Sequence, residues 1–294
     1  MPVYDYSYQT YDGPRQSALL RWLAIPKFTY LECFEKRVFL QFFMVAWLQL
    51  ILRLAYMYLL VNVDFLRAMG IPLNILVPVN ALFFKSMIDF QMPFCFIFSL
   101  LIGAGLISRD LQHSAFVLYA SKPISRWEYF AGKFSVLFFL FMALTWAQTA
   151  LLFVIQPLIS AADSDWWLHF WSKYAWIFPA TTAYAVVIGV TLSLLILAAS
   201  SLTRNARYAG MIFAGALIGA HVTAQILCHS LSMPSLDLLS PLTAILTVGD
   251  WIFRLDQPWE PHRVTWSWVV ILGLWAMCAG ILKWRLDRAA RYEK

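Results

Sequence analysis

The sequence contains few charged residues and few cysteines. Only 13% of its 294 residues are Asp, Glu, Lys or Arg, whereas 61% are hydrophobic. A water-soluble domain could not cover this much apolar side chain with so few charges, so the composition indicates a membrane protein. The 4 cysteines are isolated and form no C-x-x-C. The spacing therefore indicates neither a zinc site nor a disulfide framework.

Two further signals are missing. The first 16 residues are polar and rich in tyrosine, without the apolar core and small-residue cleavage site of a secretory signal. Lys and Arg outnumber Asp and Glu by 22 to 16, but these cations are spread over several short segments. This spread argues against nucleic acid as a partner. The positive surplus is interpreted as a signal of membrane topology.

Long apolar runs are what the sequence does contain. An α-helix rises about 1.5 Å per residue, so crossing a hydrocarbon core of about 30 Å takes roughly 20 apolar residues. Six stretches meet this requirement: Val38–Leu60, Ile88–Ile107, Phe134–Leu158, Trp176–Ser200, Ala209–Leu231 and Thr265–Leu282. The expected fold is an all-α integral membrane protein with six transmembrane helices, called spans one to six below.

Lys and Arg are distributed unevenly between the two sides of the predicted bundle. The side with residues 1–37, 108–133, 201–208 and 283–294 carries 16 of them, and the other side carries 5. Because Lys and Arg accumulate in cytoplasmic segments, both termini are predicted to be cytoplasmic. The expected organisation is a cytoplasmic N-terminus (1–37), a membrane domain (38–284) and a cytoplasmic tail (285–294).

A short helix is expected before span one. Lys27–Lys36 places Phe28, Leu31 and Phe34 on one helical face and polar residues on the other. This periodicity predicts an amphipathic helix that lies in the membrane interface. The alternative is a cytoplasmic extension of span one.

Two apolar pieces on the other side are too short to cross the membrane. Ile71–Phe84 holds two prolines and two asparagines and is interpreted as a re-entrant or outer-surface piece. In the outer segment 233–264, Ser240 and Pro241 predict the start of a short helix, as its cap and its first-turn proline.

Residues 108–133, between spans two and three, are basic and also amphipathic. A helix is expected from Asp110 to Ala120, and it ends before Pro123 because proline disfavours helix at the preceding residue. Ser125 is expected to cap the next helix with Glu128 as its capping-box partner, and this helix would continue into span three. The segment predicts a docking surface for another protein. Attraction of its cations to an anionic membrane surface is the alternative interpretation.

The same region contains the sequence pattern of a known family. The pattern has three parts. Span two ends with Gly103, Gly105, Ile107, Ser108, Arg109 and Asp110, and the segment after it contains Tyr119, Ser121, Lys122, Pro123, Ile124, Ser125 and Arg126. Span three opens with Tyr129, Gly132 and Lys133. These stretches resemble the Gly-rich turn, the "L-S-R-P-I-S-R" stretch and the "Y-x-x-G-K" of the permease subunit of the ABC type-2 transporter family. Lys122 stands where an arginine is common, and His113-Ser114 replaces a frequent acidic residue and glycine.

This resemblance implies a permease subunit of an ATP-driven exporter in the plasma (inner) membrane of a prokaryote. Two such chains, identical or different, would pair within the lipid and form the substrate path. Each would rest on a separate cytoplasmic ABC ATPase that binds ATP and Mg, since this chain has no G-x-x-x-x-G-K-[ST] motif. No catalytic residue, cofactor or metal is expected in this chain.

The resemblance also implies which residues couple the permease to the ATPase. The principal contact is expected from Arg109, Asp110, Phe116, Tyr119, Ser121, Lys122, Pro123, Arg126, Tyr129, Gly132 and Lys133. A smaller contact is expected from Arg204 and Arg207, between spans four and five, although a plain positively charged hairpin explains these two arginines almost as well.

Span five carries an unusual row of small and polar residues. Gly215 and Gly219 form a G-x-x-x-G, which lets helices approach closely in lipid. His221, Gln225 and His229 follow at intervals of four on one helical face, and they are interpreted as part of the substrate path. The alternatives are structural hydrogen bonds to neighbouring helices and a metal ion held by the two histidines with a nearby cysteine.

One charge lies within span one. Arg53 is expected to extend its side chain toward the interface, or to form an ion pair with Asp89 near the outer start of span two.

Two other functions compete with transport. A membrane anchor that recruits a cytosolic partner would need the 108–133 segment but not the polar row of span five. An integral-membrane enzyme that uses the span-five histidines is disfavoured, because the sequence has neither H-E-x-x-H nor G-x-S-x-G.

Overall fold

The computed structural model describes residues 22–68, 70, 78–113, 125–160, 170–231, 233–255 and 261–289. Every regular element in these residues is a helix, which confirms the predicted all-α class. The α-helices are Ala24–Glu35, Arg37–Val61, Val63–Ala68, Ala81–Phe98, Ala104–Gln112, Arg126–Met142, Gln148–Ser160, Ile177–Leu202, Ala206–Ala214, Ala220–Leu231, Pro241–Ile252 and Pro261–Ala289. A 3₁₀-helix covers Pro234–Leu239, and π-helical turns cover Ser99–Gly103, Ala143–Ala147 and Gly215–Gly219.

Within the described ranges, 6 helices are long and apolar enough to cross a membrane. They are Arg37–Val61, Ala81–Gln112, Trp127–Ile159, Phe170–Leu202, Ala206–Leu231 and Pro261–Arg285. Each contains the whole of one predicted span, so the prediction of six spans is confirmed. Spans two and three meet near residues 112 and 126, and we call this end of the bundle the basic end.

Span two begins earlier than its apolar run predicted. Its helix starts at Ala81, and the Asn80 side chain accepts a 3.2 Å hydrogen bond from the backbone N–H of Phe83. Asn80 therefore caps the helix. Residues 81–84 belong to span two and not to a re-entrant piece, which corrects that part of the interpretation of Ile71–Phe84; residues 71–77 lie outside the described ranges.

Span four is the centre of the bundle. In its most apolar stretch 83% of the residues are buried, compared with 17% in spans one and five. A Cβ atom on Gly103 would lie 2.7 Å from Ile196, so this glycine lets span two approach span four closely. Spans one and five consequently expose most of their surface to lipid or to another chain.

A hydrogen-bonded serine joins spans two and four just after a π-helical turn. The Ser200 hydroxyl donates a 2.8 Å hydrogen bond to the carbonyl of Ala104. It also accepts hydrogen bonds from the backbone N–H groups of Ile107 and Ser108, at 3.1 Å and 3.0 Å. π-Helical turns disturb the regular hydrogen-bond ladder of a helix. The Ser200 side chain binds span two directly after such a turn, Ser99–Gly103.

The N-terminal helix, Ala24–Glu35, lies across the basic end. Phe28, Leu31 and Phe34 are accessible to 68%, 56% and 44%. Charged Lys27 and Glu35 are exposed among them, so the predicted separation into an apolar and a polar face is wrong. Lys36 adopts an extended backbone conformation between this helix and span one. The N-terminal helix is thus a separate element and not an extension of span one.

The predicted short helix in the outer segment is confirmed. It covers Pro241–Ile252, and the Ser240 side chain caps it by accepting a 3.4 Å hydrogen bond from the N–H of Thr243. This short apolar helix packs against spans four and six. Ala244, Ile245, Val248 and Gly249 are buried in that contact.

Candidate functional site

The ends of spans two and three hold the segment predicted to contact an ATPase. Of the predicted coupling residues, Phe116, Tyr119, Ser121, Lys122 and Pro123 lie outside the described ranges. Arg126 begins the helix that leads into span three. Five of the predicted residues are described and lie at the basic end: Arg109, Asp110, Tyr129, Gly132 and Lys133.

Three of these side chains form one buried polar cluster. Lys133 Nζ lies 2.9 Å from Oδ2 of Asp110, and the two side chains are only 9% and 16% exposed. The hydroxyl of Tyr129 donates a 2.6 Å hydrogen bond to the same Asp110 oxygen. Because Asp110 ends span two while Tyr129 and Lys133 begin span three, this Asp110 cluster holds the two helix ends together.

The helix into span three starts as the sequence predicted. The Ser125 hydroxyl accepts a 3.2 Å hydrogen bond from the N–H of Glu128, and the Glu128 carboxylate accepts a 2.6 Å hydrogen bond from the N–H of Ser125. This reciprocal pair is a capping box, which satisfies backbone donors at the helix start. The helix continues through the π-helical turn to Ser160, so its start is directly connected to the membrane-crossing part.

Gly132 permits close contact between span three and the N-terminal helix. A Cβ atom at this position would lie 2.6 Å from Cδ1 of Ile25 and 3.1 Å from the carbonyl oxygen of Trp22. One turn further on, the hydroxyl of Tyr30 donates a 2.5 Å hydrogen bond to the carbonyl of Val136. Burial raises the pKa of this hydroxyl and that of the neighbouring Cys33 thiol. The N-terminal helix is therefore packed firmly on span three.

A cavity of about 180 Å³ lies beside the Asp110 cluster, between the N-terminal helix, the start of span one and the end of span two. The Arg109 side chain folds back over Gly105: a Cβ atom at position 105 would lie 2.9 Å from Nε of Arg109. Arg109 is exposed. It lines the cavity together with Asp110 and Lys133.

The two arginines of the predicted secondary contact are exposed at the same end. Arg204 and Arg207 lie on both sides of Asn205, whose side chain accepts a 3.0 Å hydrogen bond from the N–H of Arg207. Asn205 thereby caps span five. The contact with an ATPase remains a prediction.

The polar row of span five is divided between two environments. His221 is half-buried, and its Nδ1 lies 2.9 Å from the hydroxyl of Ser240, the cap of the short apolar helix. This contact is of the kind that the alternative of a structural hydrogen bond describes, and it does not test a role of His221 in the substrate path. Gln225 and His229 are exposed on the surface of the single chain. Among the described residues, no group of three His, Cys, Asp or Glu side chains could hold a metal ion.

Gly215 and Gly219 leave open space beside span five in the part of the chain that the structure describes. A Cβ atom on either glycine would meet nothing within 4 Å in the described ranges. Both lie in the π-helical turn of span five. Their predicted role in close helix packing therefore requires a contact outside the single chain.

The Arg53–Asp89 ion pair, one of the two alternatives for Arg53, is not formed between these two described residues. Asp89 Oδ2 lies 2.8 Å from Nζ of Lys85, and Oδ1 accepts a 2.6 Å hydrogen bond from the hydroxyl of Tyr184. Arg53 instead lies over the ring of Phe83, with 4.7 Å between its guanidinium carbon and the ring centroid. Lys85 is closer to Asp89 because the two residues are one helical turn apart.

The importance of Lys85 was not predicted from the sequence. Its Nζ also lies 2.9 Å from Oδ1 of Asp250, at the end of the short apolar helix. The Lys85 side chain is 7% exposed, and it is the cation between two carboxylates of different helices. The spacing of Lys85 and Asp89 was the available signal, because residues four apart share a helical face. We refer to Lys85, Asp89, Tyr184 and Asp250 as the Lys85 cluster.

The chain is similar to a family of known membrane proteins. The family described as ABC-2 family transporter protein matches residues 83–283 of this chain, which is more than half of its length. The match begins in span two and ends in span six, and it includes the Asp110 cluster. Neither a curated protein nor a solved structure matches the chain.

Proposed function

The chain belongs to the ABC-2 transporter family, and from this premise we propose that it is the permease subunit of an ATP-driven exporter. Membership and the six apolar helices make it a multi-pass membrane protein and a transport component that is not itself catalytic. The proposal adds three points: a separate ABC ATPase supplies the energy, two chains form the path, and the substrate leaves the cell.

The Asp110 cluster is the observation that carries this proposal. Residues 114–124 connect two helix ends that are joined by a buried ion pair and a hydrogen bond. A force on this segment would move spans two and three together, since a short buried pair resists separation. The N-terminal helix, packed on Gly132, would move with them. This arrangement is what a permease needs in order to transmit the closure of ATPase subunits into the membrane.

The basic end would face the cytoplasm of a prokaryotic cell. Lys and Arg concentrate on this side in the sequence, as they do in cytoplasmic segments of membrane proteins. Cytoplasmic ATPases would dock here, with ATP and Mg bound entirely on their side. Exposed Arg204 and Arg207 would add a second contact for ATPase carboxylates.

The path would lie along span five of two paired chains. Spans one and five bury little surface within the single chain, and the open face at Gly215 and Gly219 allows close approach of a second helix. Exposed Gln225 and His229 continue from this face, and intramembrane polar groups commonly mark transport pathways. His221 is left out of the path because it binds Ser240.

The partner is tested by co-purification. The tagged chain is isolated from its native membranes in mild detergent, and its partners are identified by mass spectrometry. We expect an ATPase with a G-x-x-x-x-G-K-[ST] motif, and ATP hydrolysis by the complex. A preparation that reproducibly contains no ABC ATPase would contradict the proposal.

Coupling is tested within that complex by Tyr129→Phe. This change removes one hydroxyl from the Asp110 cluster but leaves the ion pair intact. We expect a several-fold lower permease-stimulated rate of ATP hydrolysis with the ATPase still bound. Tyr208→Phe is the matched control, because Tyr208 is 60% exposed on span five. Equal rates for both variants would exclude coupling through the cluster.

A double variant separates a transporter from an anchor. Gln225→Leu with His229→Leu should leave the ATPase bound but abolish substrate release. Compounds released by cells that carry wild-type chain, variant or no chain are compared by untargeted mass spectrometry. Val222→Leu, at an exposed position of the same helix, is the control. An anchor would show the same released compounds in all three strains.

A further inference from the structure

The cavity at the basic end has one apolar wall. This wall consists of Val38 and Phe39 from the start of span one, and of Leu101, Ile102 and Leu106 from span two. The N-terminal helix closes the other side and exposes Phe28 and Leu31. Exposed apolar side chains beside charged ones suit the boundary between lipid headgroups and acyl chains. A cavity behind a helix at this boundary would be near the depth of the phospholipid phosphates.

Among the described residues, the charged side of the cavity carries one positive charge in excess. These residues are three cations, Lys36, Arg109 and Lys133, and two carboxylates, Glu32 and Asp110. Glu32 is paired with Lys36 at 2.6 Å, and Asp110 is paired with Lys133 at 2.9 Å. The hydrogen bond from Lys36 lowers the pKa of Glu32, so this carboxylate is charged at neutral pH.

Arg109 is the cation that remains without a carboxylate. It forms no ion pair or hydrogen bond with any residue of the described ranges, and its side chain lies against Gly105 at the cavity wall. A guanidinium group binds phosphate oxygens through two parallel N–H donors. A ligand with one negative charge would neutralise the cavity.

We propose that this cavity binds the phosphodiester headgroup of an anionic glycerophospholipid, with Arg109 bound to the phosphate and one acyl chain against Leu101 and Ile102. A zwitterionic lipid fits less well, because its ammonium charge cancels that of its phosphate and leaves the excess positive charge of the described lining in place. The bound lipid would fill the space between the N-terminal helix and span two. It would thus become part of the surface that holds the ends of spans two and three.

The proposal is tested by native mass spectrometry of the full chain in detergent, titrated with phosphatidylglycerol or phosphatidylcholine. We expect tighter binding of phosphatidylglycerol, by roughly tenfold or more, as for a hydrogen-bonded charge pair. Arg109→Gln should reduce this affinity to that of phosphatidylcholine. Lys27→Gln, an exposed cation of the N-terminal helix outside the cavity lining, should leave it unchanged.

A second variant tests the apolar wall independently. Leu101→Trp places a larger side chain in the cavity, and it should weaken binding of both lipids while thermal unfolding stays close to that of the wild type. Leu101 is 42% exposed, so the larger ring can be accommodated without disturbing the core. Inorganic phosphate is added as a competitor, because a phosphate site without lipid selectivity would release phosphatidylglycerol at millimolar phosphate.

Three results would overturn the proposal: equal affinity for the two lipids, unchanged phosphatidylglycerol binding by Arg109→Gln, or full displacement by inorganic phosphate. The assay contains no ATPase, so its outcome is independent of the proposed exporter function. An Arg109→Gln variant that keeps the lipid but no longer stimulates an ATPase would support only the coupling role.

Discussion

The hydroxyl of Tyr184 in span four donates a 2.6 Å hydrogen bond to Oδ1 of Asp89 in span two. The other oxygen of Asp89 binds Lys85, which also binds Asp250 of the short apolar helix. One buried cation therefore connects a membrane span to a helix that does not cross the membrane. Ionisable groups in this setting persist only when partners offset their desolvation. The Lys85 cluster accordingly fixes the position of the short apolar helix.

Lys85→Met is predicted to destabilise the fold strongly. It removes the cation and leaves Asp89 and Asp250 close together without a counter-charge, which costs about 3–5 kcal/mol for a buried pair. Thermal unfolding in detergent, followed by tryptophan fluorescence, measures the loss. Lys173→Met is the matched control, since Lys173 is exposed and surface changes of this kind usually alter stability by about 0.5 kcal/mol or less.

Neutralising the carboxylates separates electrostatics from packing. A triple variant, Lys85→Met with Asp89→Asn and Asp250→Asn, should regain part of the stability that Lys85→Met loses, because no unpaired charge remains. If the triple variant unfolds at a lower temperature than Lys85→Met alone, repulsion between the carboxylates is not the cause of the loss.

Gly249→Ala is predicted to displace the short apolar helix from span four. The added Cβ atom would lie 2.5 Å from two ring carbons of Tyr184, and Tyr184 is fully buried. Overpacking of this kind costs typically about 1–3 kcal/mol. The measurement is again thermal unfolding, with Gly273→Ala as control, because a Cβ atom on Gly273 meets nothing within 4 Å. Equal stability of the two variants would show that Tyr184 moves aside freely.

The membrane spans were predictable because their signal is local. Each span is a continuous apolar run, and its length is compared directly with the bilayer thickness. The start of span two was misplaced because Lys85 resembles the end of an apolar run. Its charge is offset by Asp250, which is 165 residues away in the sequence. A contact of this separation leaves no local pattern.

The same distinction applies to the candidate site. The Ser125–Glu128 capping box was predictable because all its atoms lie within one helical turn. The Asp110–Lys133 pair was not, although both residues were singled out, because their contact depends on how spans two and three pack. The hydrogen bond between His221 and Ser240 likewise joins two helices, so it leaves no local pattern in the sequence.

Cys33 is predicted to report on the packing of the N-terminal helix. The residue is 5% exposed, and burial raises the pKa of its thiol, so little reactive thiolate is present at neutral pH. In a variant whose other cysteines are replaced by alanine, maleimide labelling should therefore be slow. Gly132→Ala should accelerate it, because the added Cβ atom clashes with Ile25 and the backbone of Trp22.

The pH dependence of this labelling has a defined sign. The pKa values of Cys33 and Tyr30 are raised in the folded chain, so both groups favour packing of the helix while they are protonated. That contribution is complete below the ordinary thiol pKa of about 9. It is lost as the pH rises through the folded values. Labelling should accelerate above about pH 9 more steeply in the wild type than in Gly132→Ala; parallel profiles would contradict this.

Gln91→Leu is predicted to loosen span one. The amide nitrogen of Gln91, which is fully buried, lies 2.7 Å from Oε1 of Gln49, 3.0 Å from Oε1 of Gln148 and 2.8 Å from the carbonyl of Ala46. These contacts connect spans one, two and three. Because span one buries little other surface, this polar junction is a large part of its attachment.

The expected loss is about 0.6–1.7 kcal/mol, the range of interhelical hydrogen bonds in membranes. Thermal unfolding of Gln91→Leu, Gln148→Leu and the double variant forms a double-mutant cycle. The double variant should lose less stability than the sum of the single variants, because each single change already breaks the shared bond. Gln225→Leu, at an exposed amide of span five, should leave stability unchanged. Strict additivity in the cycle would mean that the two amides do not interact.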